Sequence, residues 1–107
     1  MHPSVSVIIP AYNEEKTLLQ CIRKAKEGYE TLGYIGQILI ADNNSTDRTK
    51  EIALQAGVDV VTVPVQGYGS ACYGGLMAAT GDILILGDAD DTYDFREIGS
   101  FVQKIEE

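Results

Sequence analysis

The stretch Val5-Ser-Val-Ile-Ile-Pro-Ala-Tyr-Asn-Glu-Glu15 decides the fold class of this chain. It opens with a short apolar run that ends at Pro10, which is typical of a strand buried on both faces of a sheet. We expect Asn13 to cap the helix that follows and Gly33 to end it. The apolar residues between them recur at helical spacing and predict one buried helix face: Leu18, Ile22, Ala25, Tyr29 and Leu32.

The same strand-then-helix unit recurs along the chain. Further strands are predicted at residues 37–41, 58–63 and 83–86. Further helices are predicted at residues 45–57, 71–79 and 94–107, with Ser45 and Asp94 as caps and Glu97 completing a capping box. This alternation predicts parallel βαβ units in a sheet covered on both faces. Because the last helix stays amphipathic up to Glu107, we expect the N-terminal part of a larger protein.

Composition and charge limit the classes of partner. The chain has 107 residues, 45% of them hydrophobic and 22% charged, which predicts a single globular domain. Its formal net charge of −8 repels phosphate backbones, so nucleic acid is not an expected partner. To bind an anionic substrate the protein would have to recruit positive charge, most simply as a divalent metal. Cys21 and Cys72 lack paired spacing and are expected to be small buried thiols in helices.

Several classes of protein are excluded by what the sequence lacks. It has no charged leader and no apolar run long enough for a membrane helix, so we expect a cytoplasmic location. His2 is the only histidine and stands too near the terminus to act as a base or ligand. Neither a Ser/His/Asp or Cys/His set nor a Walker-type loop is present, which excludes common hydrolases and P-loop enzymes. No catalytic group is assigned.

Polar residues are concentrated where the predicted strands end. The four clusters cover residues 10–14, 42–47, 66–70 and 87–91. Ligands of open α/β sheets bind beyond the carboxyl ends of the strands. One shared site at that edge is therefore predicted.

The run Asp88-Ala89-Asp90-Asp91 is the sharpest of these signals. Carboxylates at a strand end suit Mg²⁺ or Mn²⁺, and such a metal would let an acidic protein bind a diphosphate. The alternative is a solvated acidic turn that precedes Asp94.

The other loops carry weaker signals. Backbone amides around Gly67 and Gly69 can approach a phosphate at a helix N-terminus, or the glycines can form a flexible turn. Tyr12 can stack on a base or pack against the protein. Asp42 and Asn43 can hydrogen-bond a base or ribose, or their loop can cap the next helix.

Taken in order, Val5–Glu15, Asp42-Asn-Asn-Ser-Thr-Asp47 and Asp88-Ala-Asp90 resemble the nucleotide-sugar half of family 2 glycosyltransferases. The stretches Gly67-Tyr-Gly-Ser-Ala71 and Gly87–Phe95 are similar to polyprenyl-phosphate (dolichyl or undecaprenyl) hexose synthases of that family. The resemblance covers essentially the whole chain. It implies the GT-A fold, a three-layer αβα Rossmann-like arrangement of the nucleotide-diphospho-sugar transferase type, here with a mostly parallel and incomplete sheet.

The resemblance also implies roles for individual residues. Asp88 and Asp90 match the metal-binding Asp-X-Asp motif and would hold Mg²⁺ or Mn²⁺. Many members carry two aspartates where this chain has Asp42 and Asn43, so the preferred base is open. With the glycine-rich loop, the expected nucleotide-sugar site comprises eleven residues: Pro10, Ala11, Tyr12, Glu14, Asp42, Asn43, Gly67, Gly69, Asp88, Ala89 and Asp90.

The implied reaction is inverting transfer of a hexose from a UDP- or GDP-sugar to a polyprenyl phosphate. Residues 1–107 would be the nucleotide-sugar-binding N-terminal part of the catalytic domain, inactive by itself. The lipid-phosphate acceptor would bind through the part that follows, which would place the full-length protein at the cytoplasmic face of the membrane. An apolar face left uncovered in the shorter chain would favour a homo-oligomer.

Other classes of function remain as alternatives at this point. One is a family 2 transferase with a saccharide acceptor. Another is a non-catalytic receiver-like module that binds Mg²⁺, although Pro10 and Pro64 stand where receivers carry acidic residues. A sugar-nucleotide pyrophosphorylase would need a basic glycine-rich loop after the first strand, which this sequence lacks.

Overall fold

The computed structural model describes residues 4–106 and contains one four-stranded sheet. All strand pairs are parallel, and the order across the sheet is β3-β2-β1-β4. Every residue of the central strand β1 is buried, as its apolar sequence predicts. The strands are β1 (Val5–Ala11), β2 (Gln37–Asp42), β3 (Asp59–Thr62) and β4 (Ile83–Leu86).

The strand order distinguishes between two kinds of α/β fold. Dinucleotide-binding folds place the strands in the order 3-2-1-4, whereas flavodoxin-like and receiver folds place the third strand beside the first. Here β3 pairs with β2, and β1 lies between β2 and β4. The structure therefore has the Rossmann-like order and does not fit the receiver-like alternative.

Helices cover both faces of the sheet, which confirms the three-layer prediction. On one face, α1, α2 and α4 pack with a 3₁₀ turn around a core that includes the fully buried Phe95. On the other face, α3 packs against β1 and β2. No helix within residues 4–106 is both long and apolar enough to cross a bilayer. The helices are α1 (Leu18–Leu32), α2 (Thr49–Gln55), α3 (Tyr68–Ala78) and α4 (Ile98–Glu106), and the turn is Phe95–Glu97.

Neither Asn13 nor Ser45 caps the helix that follows it, contrary to expectation. The Asn13 carboxamide oxygen accepts a hydrogen bond from the Thr46 amide at 2.8 Å, and the Asn13 amide donates to the Ser45 hydroxyl at 3.0 Å. The two polar loops therefore bind each other. As a result α1 begins only at Leu18 and α2 only at Thr49.

Other element boundaries also differ from the sequence prediction. Helix α3 begins three residues earlier than predicted, at Tyr68. Asp94 caps the 3₁₀ turn before α4, because its carboxylate accepts from the Arg96 amide at 3.0 Å. Gly33 ends α1 in the left-handed conformation, as predicted. His2 lies outside the described residues.

The two cysteines lie in helices, as predicted, but differ in burial. Cys21 in α1 is fully buried, and this burial raises the pKa of its thiol to about 11. Cys72 in α3 is only half-buried. The expectation of a buried thiol therefore holds for Cys21 and only in part for Cys72.

The face of the sheet on which α3 packs also carries apolar residues that α3 does not cover. Leu84 and Leu86 pair in register with Ser6 and Ile8, so they lie on the same face of the sheet as α3. Each is 43% exposed. The edge strand β4 therefore presents an uncovered apolar surface.

Candidate functional site

A cleft of about 410 Å³ lies at the carboxyl edge of the sheet. Its volume is within the range of ordinary small-molecule pockets. All four predicted polar clusters contribute to it. Nine of the eleven predicted site residues line the cleft, and Asp42 and Gly69 do not. Three further lining residues were not among the predicted ones: Gln66, Tyr68 and Ala71.

Two threonines tie the loops of the cleft together. The Thr17 hydroxyl donates to the backbone oxygen of Ala89 at 2.6 Å, which joins the start of α1 to the acidic loop. The Glu14 amide donates to the Thr49 hydroxyl at 2.8 Å, which joins the loop after β1 to the start of α2. These bonds span 72 and 35 residues, so no local sequence signal could reveal them.

The acidic loop after β4 separates its carboxylates. Asp88 and Asp90 line the cleft, whereas Asp91 forms an ion pair with Lys24 at 2.9 Å. The Thr92 hydroxyl and amide both donate to one Asp90 oxygen, and these bonds lower the pKa of Asp90. Two carboxylates are therefore available to a ligand, and the third is occupied.

This pair of carboxylates fits a metal that is shared with a ligand. Within residues 4–106, no group of three His, Cys, Asp or Glu side chains is arranged to hold a metal ion. Magnesium is commonly bound by one or two carboxylates together with substrate phosphates. Asp88 and Asp90 match that requirement. No Lys or Arg is among the described residues that line the cleft, so the positive charge opposite a diphosphate would come from the metal.

Asp42, at the end of β2, has an unsatisfied oxygen. Its carboxylate is only 2% exposed, and one oxygen accepts from the Ser45 amide at 3.3 Å. The other oxygen has no hydrogen-bond partner among the described residues. Asp42 does not line the cleft itself, but its neighbours Ala11, its partner in the sheet, and Asn43, the next residue, both do. A buried oxygen without a donor is costly, so this oxygen is an unused acceptor behind two residues that line the cleft.

Asn43 lines the cleft but uses its carboxamide within the protein. Its Nδ2 donates to the backbone oxygens of Val63 at 2.9 Å and Val65 at 2.8 Å. Its Oδ1 accepts from the Gly67 amide at 2.9 Å. The observed role of Asn43 is thus to hold the β3–α3 loop (residues 63–67), and a contact with a nucleotide stays a prediction.

Tyr68, the first residue of α3, reaches the acidic loop. Its hydroxyl donates to Asp88 Oδ1 at 2.7 Å, and this bond raises the pKa of Tyr68. The phenol is therefore a protonated donor at neutral pH. Its ring remains 61% exposed. In the sequence, only the glycine-rich turn indicated that this loop belongs to the site. The contact between Tyr68 and Asp88 itself depends on Tyr68 being the first residue of α3.

A second cleft of about 420 Å³ lies at the opposite end of the sheet, where β2 begins. Tyr29 lines it, but the Tyr29 hydroxyl already donates to the Gln37 backbone oxygen at 2.6 Å. Ligands of open α/β sheets bind at the carboxyl ends of the strands. The cleft that contains Asp88 and Asp90 is therefore the candidate site.

Comparisons with known proteins agree with this geometry. The family model "Glycosyl transferase family 2" matches residues 6–107. The low-salt glycan biosynthesis hexosyltransferase Agl6 of Haloferax volcanii is 39% identical over 103 residues, which are 96% of this chain and 25% of that protein.

Two solved structures extend the comparison to three dimensions. Mannosyl-3-phosphoglycerate synthase from Rubrobacter xylanophilus matches with a TM-score of 0.76 and 28% identity, over 82% of this chain and 31% of that one. Glucosyl-3-phosphoglycerate synthase from Mycobacterium tuberculosis, in complex with Mn²⁺, UDP and phosphoglyceric acid, matches with a TM-score of 0.70 and 31% identity. That match covers 81% of this chain and 33% of that one. The chain thus spans a quarter to a third of the length of these relatives.

Proposed function

Because this chain belongs to glycosyl transferase family 2, we propose that its carboxyl-edge cleft binds the nucleotide and diphosphate of a UDP- or GDP-sugar. Residues 1–107 would form the nucleotide-sugar-binding part of a glycosyltransferase catalytic domain. One observation carries the proposal: four loop clusters that are distant in sequence meet in one cleft, which Asp88 and Asp90 line.

Asp88 and Asp90 would hold Mg²⁺ or Mn²⁺ against the diphosphate. When bound, the metal would supply the positive charge that the lining residues lack and would stabilise the leaving nucleoside diphosphate. The related glucosyl-3-phosphoglycerate synthase was solved with Mn²⁺ and UDP, which supports a divalent metal without choosing between the two ions.

The base and phosphates would be held by residues from three strands. The unsatisfied Asp42 oxygen would accept an N–H of the base, and Tyr12, 47% exposed beside Pro10 and Ala11, would stack on it. Uracil and guanine both carry a ring N–H, so this contact accepts either. Since the Gly67 amide is bonded to Asn43 and Gly69 does not line the cleft, phosphate contacts would fall to the first turn of α3 at Tyr68.

The full-length protein would transfer a hexose, with inversion, to a phosphate-bearing acceptor. We propose a polyprenyl phosphate, on the resemblance of the loops at residues 67–71 and 87–95. Such an acceptor would bring that protein to the cytoplasmic face of the membrane. The solved relative bound phosphoglyceric acid, so the two acceptors should be compared with labelled donor. Label in the organic-solvent extract supports the lipid, and label transferred only to phosphoglycerate contradicts it.

The uncovered face of β4 supports the expectation of a homo-oligomer for this chain. Leu84 and Leu86 lie on the same face of the sheet as α3, whose residues Leu76 and Met77 are also exposed. Light scattering at tens of micromolar protein tests this expectation, and a monomeric mass would contradict it.

Calorimetric titration tests the donor site. We expect UDP or GDP to bind in the presence of Mn²⁺ and to lose most of that affinity when the metal is chelated, because no basic side chain replaces the metal charge. Mn²⁺ alone should bind weakly, since no group of three His, Cys, Asp or Glu side chains within residues 4–106 is arranged to hold a metal ion. Equal affinity with and without metal would contradict the proposed arrangement.

A further inference from the structure

We propose that Asn43 and Tyr68 act together as positioning residues for Asp88, one of the two carboxylates that would hold the proposed metal. The inference rests on the proposed function and concerns how its metal-facing group is held. Asn43 fixes the β3–α3 loop, and the loop delivers the Tyr68 hydroxyl to Asp88.

In the first part of this arrangement, every hydrogen-bonding group of the Asn43 carboxamide has a partner within the protein. Asn43 is 4% exposed and spends both amide hydrogens on the backbone oxygens of Val63 and Val65. Its oxygen accepts from the Gly67 amide, and the Gln66 side chain donates to the Asn43 backbone oxygen at 2.7 Å. Four hydrogen bonds therefore tie Asn43, at the end of β2, to the loop that precedes α3. We call these four bonds the Asn43 clamp.

The second part of the arrangement is the position that this loop gives to Tyr68 at the start of α3. Gly67 has a φ of +133°, a conformation that side chains rarely adopt, and the chain enters α3 directly afterwards. Tyr68 is then the first helical residue and places its hydroxyl 2.7 Å from Asp88 Oδ1. Hydrogen bonds to a metal-binding carboxylate orient it and tune its affinity. The bond at Oδ1 holds Asp88 in one orientation within the cleft.

The chemistry of the clamp explains why asparagine rather than aspartate suits this position. An aspartate would set a carboxylate against two carbonyl oxygens at the distances where Asn43 now donates. It would keep the acceptor for Gly67 but lose both donors. The loop would then be pushed away, and Tyr68 would move with it.

The test uses three variants and one matched control. Asn43→Asp breaks the clamp, Tyr68→Phe removes only the hydroxyl, and the double variant combines them. Asn44→Asp adds the same charge one residue away, at an exposed side chain. Each protein is titrated with UDP and with GDP in the presence of Mn²⁺. Hydrogen exchange of the Gly67 amide is measured without nucleotide.

We expect Asn43→Asp and Tyr68→Phe each to weaken Mn²⁺-dependent nucleotide binding about 10-fold. The double variant should bind nucleotide no more weakly than whichever single variant binds it less tightly. Both substitutions remove the same contact, the hydrogen bond between Tyr68 and Asp88. Gly67 exchange should accelerate at least about 10-fold in the two variants that carry Asn43→Asp and stay unchanged in Tyr68→Phe alone. Asn44→Asp should stay within about twofold of the unmodified chain in affinity and exchange, because its charge is exposed to solvent.

Three results would overturn the inference: unchanged affinity in both single variants, additive losses in the double variant, or tighter binding by Tyr68→Phe, which would make the phenol a competitor of the metal. If Asn43→Asp does not fold, Gln66→Ala replaces it, because Gln66 is exposed and its loss removes one bond of the clamp. Failure of the proposed function would look different: the unmodified chain itself would bind neither nucleotide.

Discussion

Replacing Asp88 with Asn is expected to abolish Mn²⁺-dependent nucleotide binding, with a loss of about 100-fold or more. The substitution keeps the size of the side chain and an acceptor for the Tyr68 hydroxyl, so the loop contacts at 2.7 Å can persist. It removes one of the two acidic-loop carboxylates that line the cleft and that we assign to the metal. Calorimetric titration with UDP and GDP measures the change.

Asp91→Asn is the matched control for that prediction. It removes the same charge from the same loop, but Asp91 is paired with Lys24 at 2.9 Å and does not line the cleft. Its nucleotide affinity should remain within about twofold of the unmodified chain, because Asp91 is already paired with Lys24 and gives the cleft no ligand. Equal losses in Asp88→Asn and Asp91→Asn would mean that overall charge, rather than a metal site, governs binding.

Gly28→Ala is expected to destabilise the fold, although alanine is the better helix former. A Cβ at Gly28 would lie 2.6 Å from the Phe95 backbone oxygen and 3.2 Å from Ile98 Cδ1. Overpacking costs about 1–3 kcal/mol, and a backbone atom cannot move aside as a flexible side chain does. A 2.6 Å approach to a backbone atom puts the cost at the upper end of that range, about 3 kcal/mol. Less a helix-propensity gain of about 1 kcal/mol, we expect the free energy of unfolding to fall by about 2 kcal/mol. Urea denaturation measures this change.

Gly99→Ala in α4 serves as the control for the packing argument. The nearest atom to a Cβ there is Leu32 Cδ1 at 3.6 Å, an ordinary contact. The free energy of unfolding should therefore stay unchanged or rise by up to about 1 kcal/mol. A gain of stability in both Gly28→Ala and Gly99→Ala would contradict this account. It would show that the 3₁₀ turn can shift at little cost and that α1 is not tightly packed against Phe95 and Ile98.

The layered architecture was predictable because its signals are local. The apolar run that begins at Val5 and the run over 83–86 form strands as expected, and Gly33 ends α1. The helix starts were not predictable from spacing. Asn13 and Ser45 both have the chemistry of caps, but each meets the loop of the other more than 30 residues away. A tertiary contact therefore replaced the local one.

The site was predictable to the extent that it depends on topology. Parallel strands bring their carboxyl ends to one edge, and so the acidic loop, Tyr12 and Asn43 line one cleft. What each side chain does there was not predictable. The contact between Tyr68 and Asp88 depends on where α3 begins, and the separation of Asp91 from its neighbours depends on Lys24 in α1.

Paramagnetic broadening of the amide NMR signals by Mn²⁺ tests the central claim most directly. Substoichiometric Mn²⁺ added with UDP, and separately with GDP, should broaden first the signals of Tyr68, Asp88, Ala89 and Asp90 in at least one series. Gly36 and Gly57 line the cleft at the opposite end of the sheet, in a molecule 40 Å long, and should keep sharp signals. Broadening centred on another acidic surface, or equal at both ends of the sheet, would contradict a metal-dependent nucleotide site at the carboxyl edge.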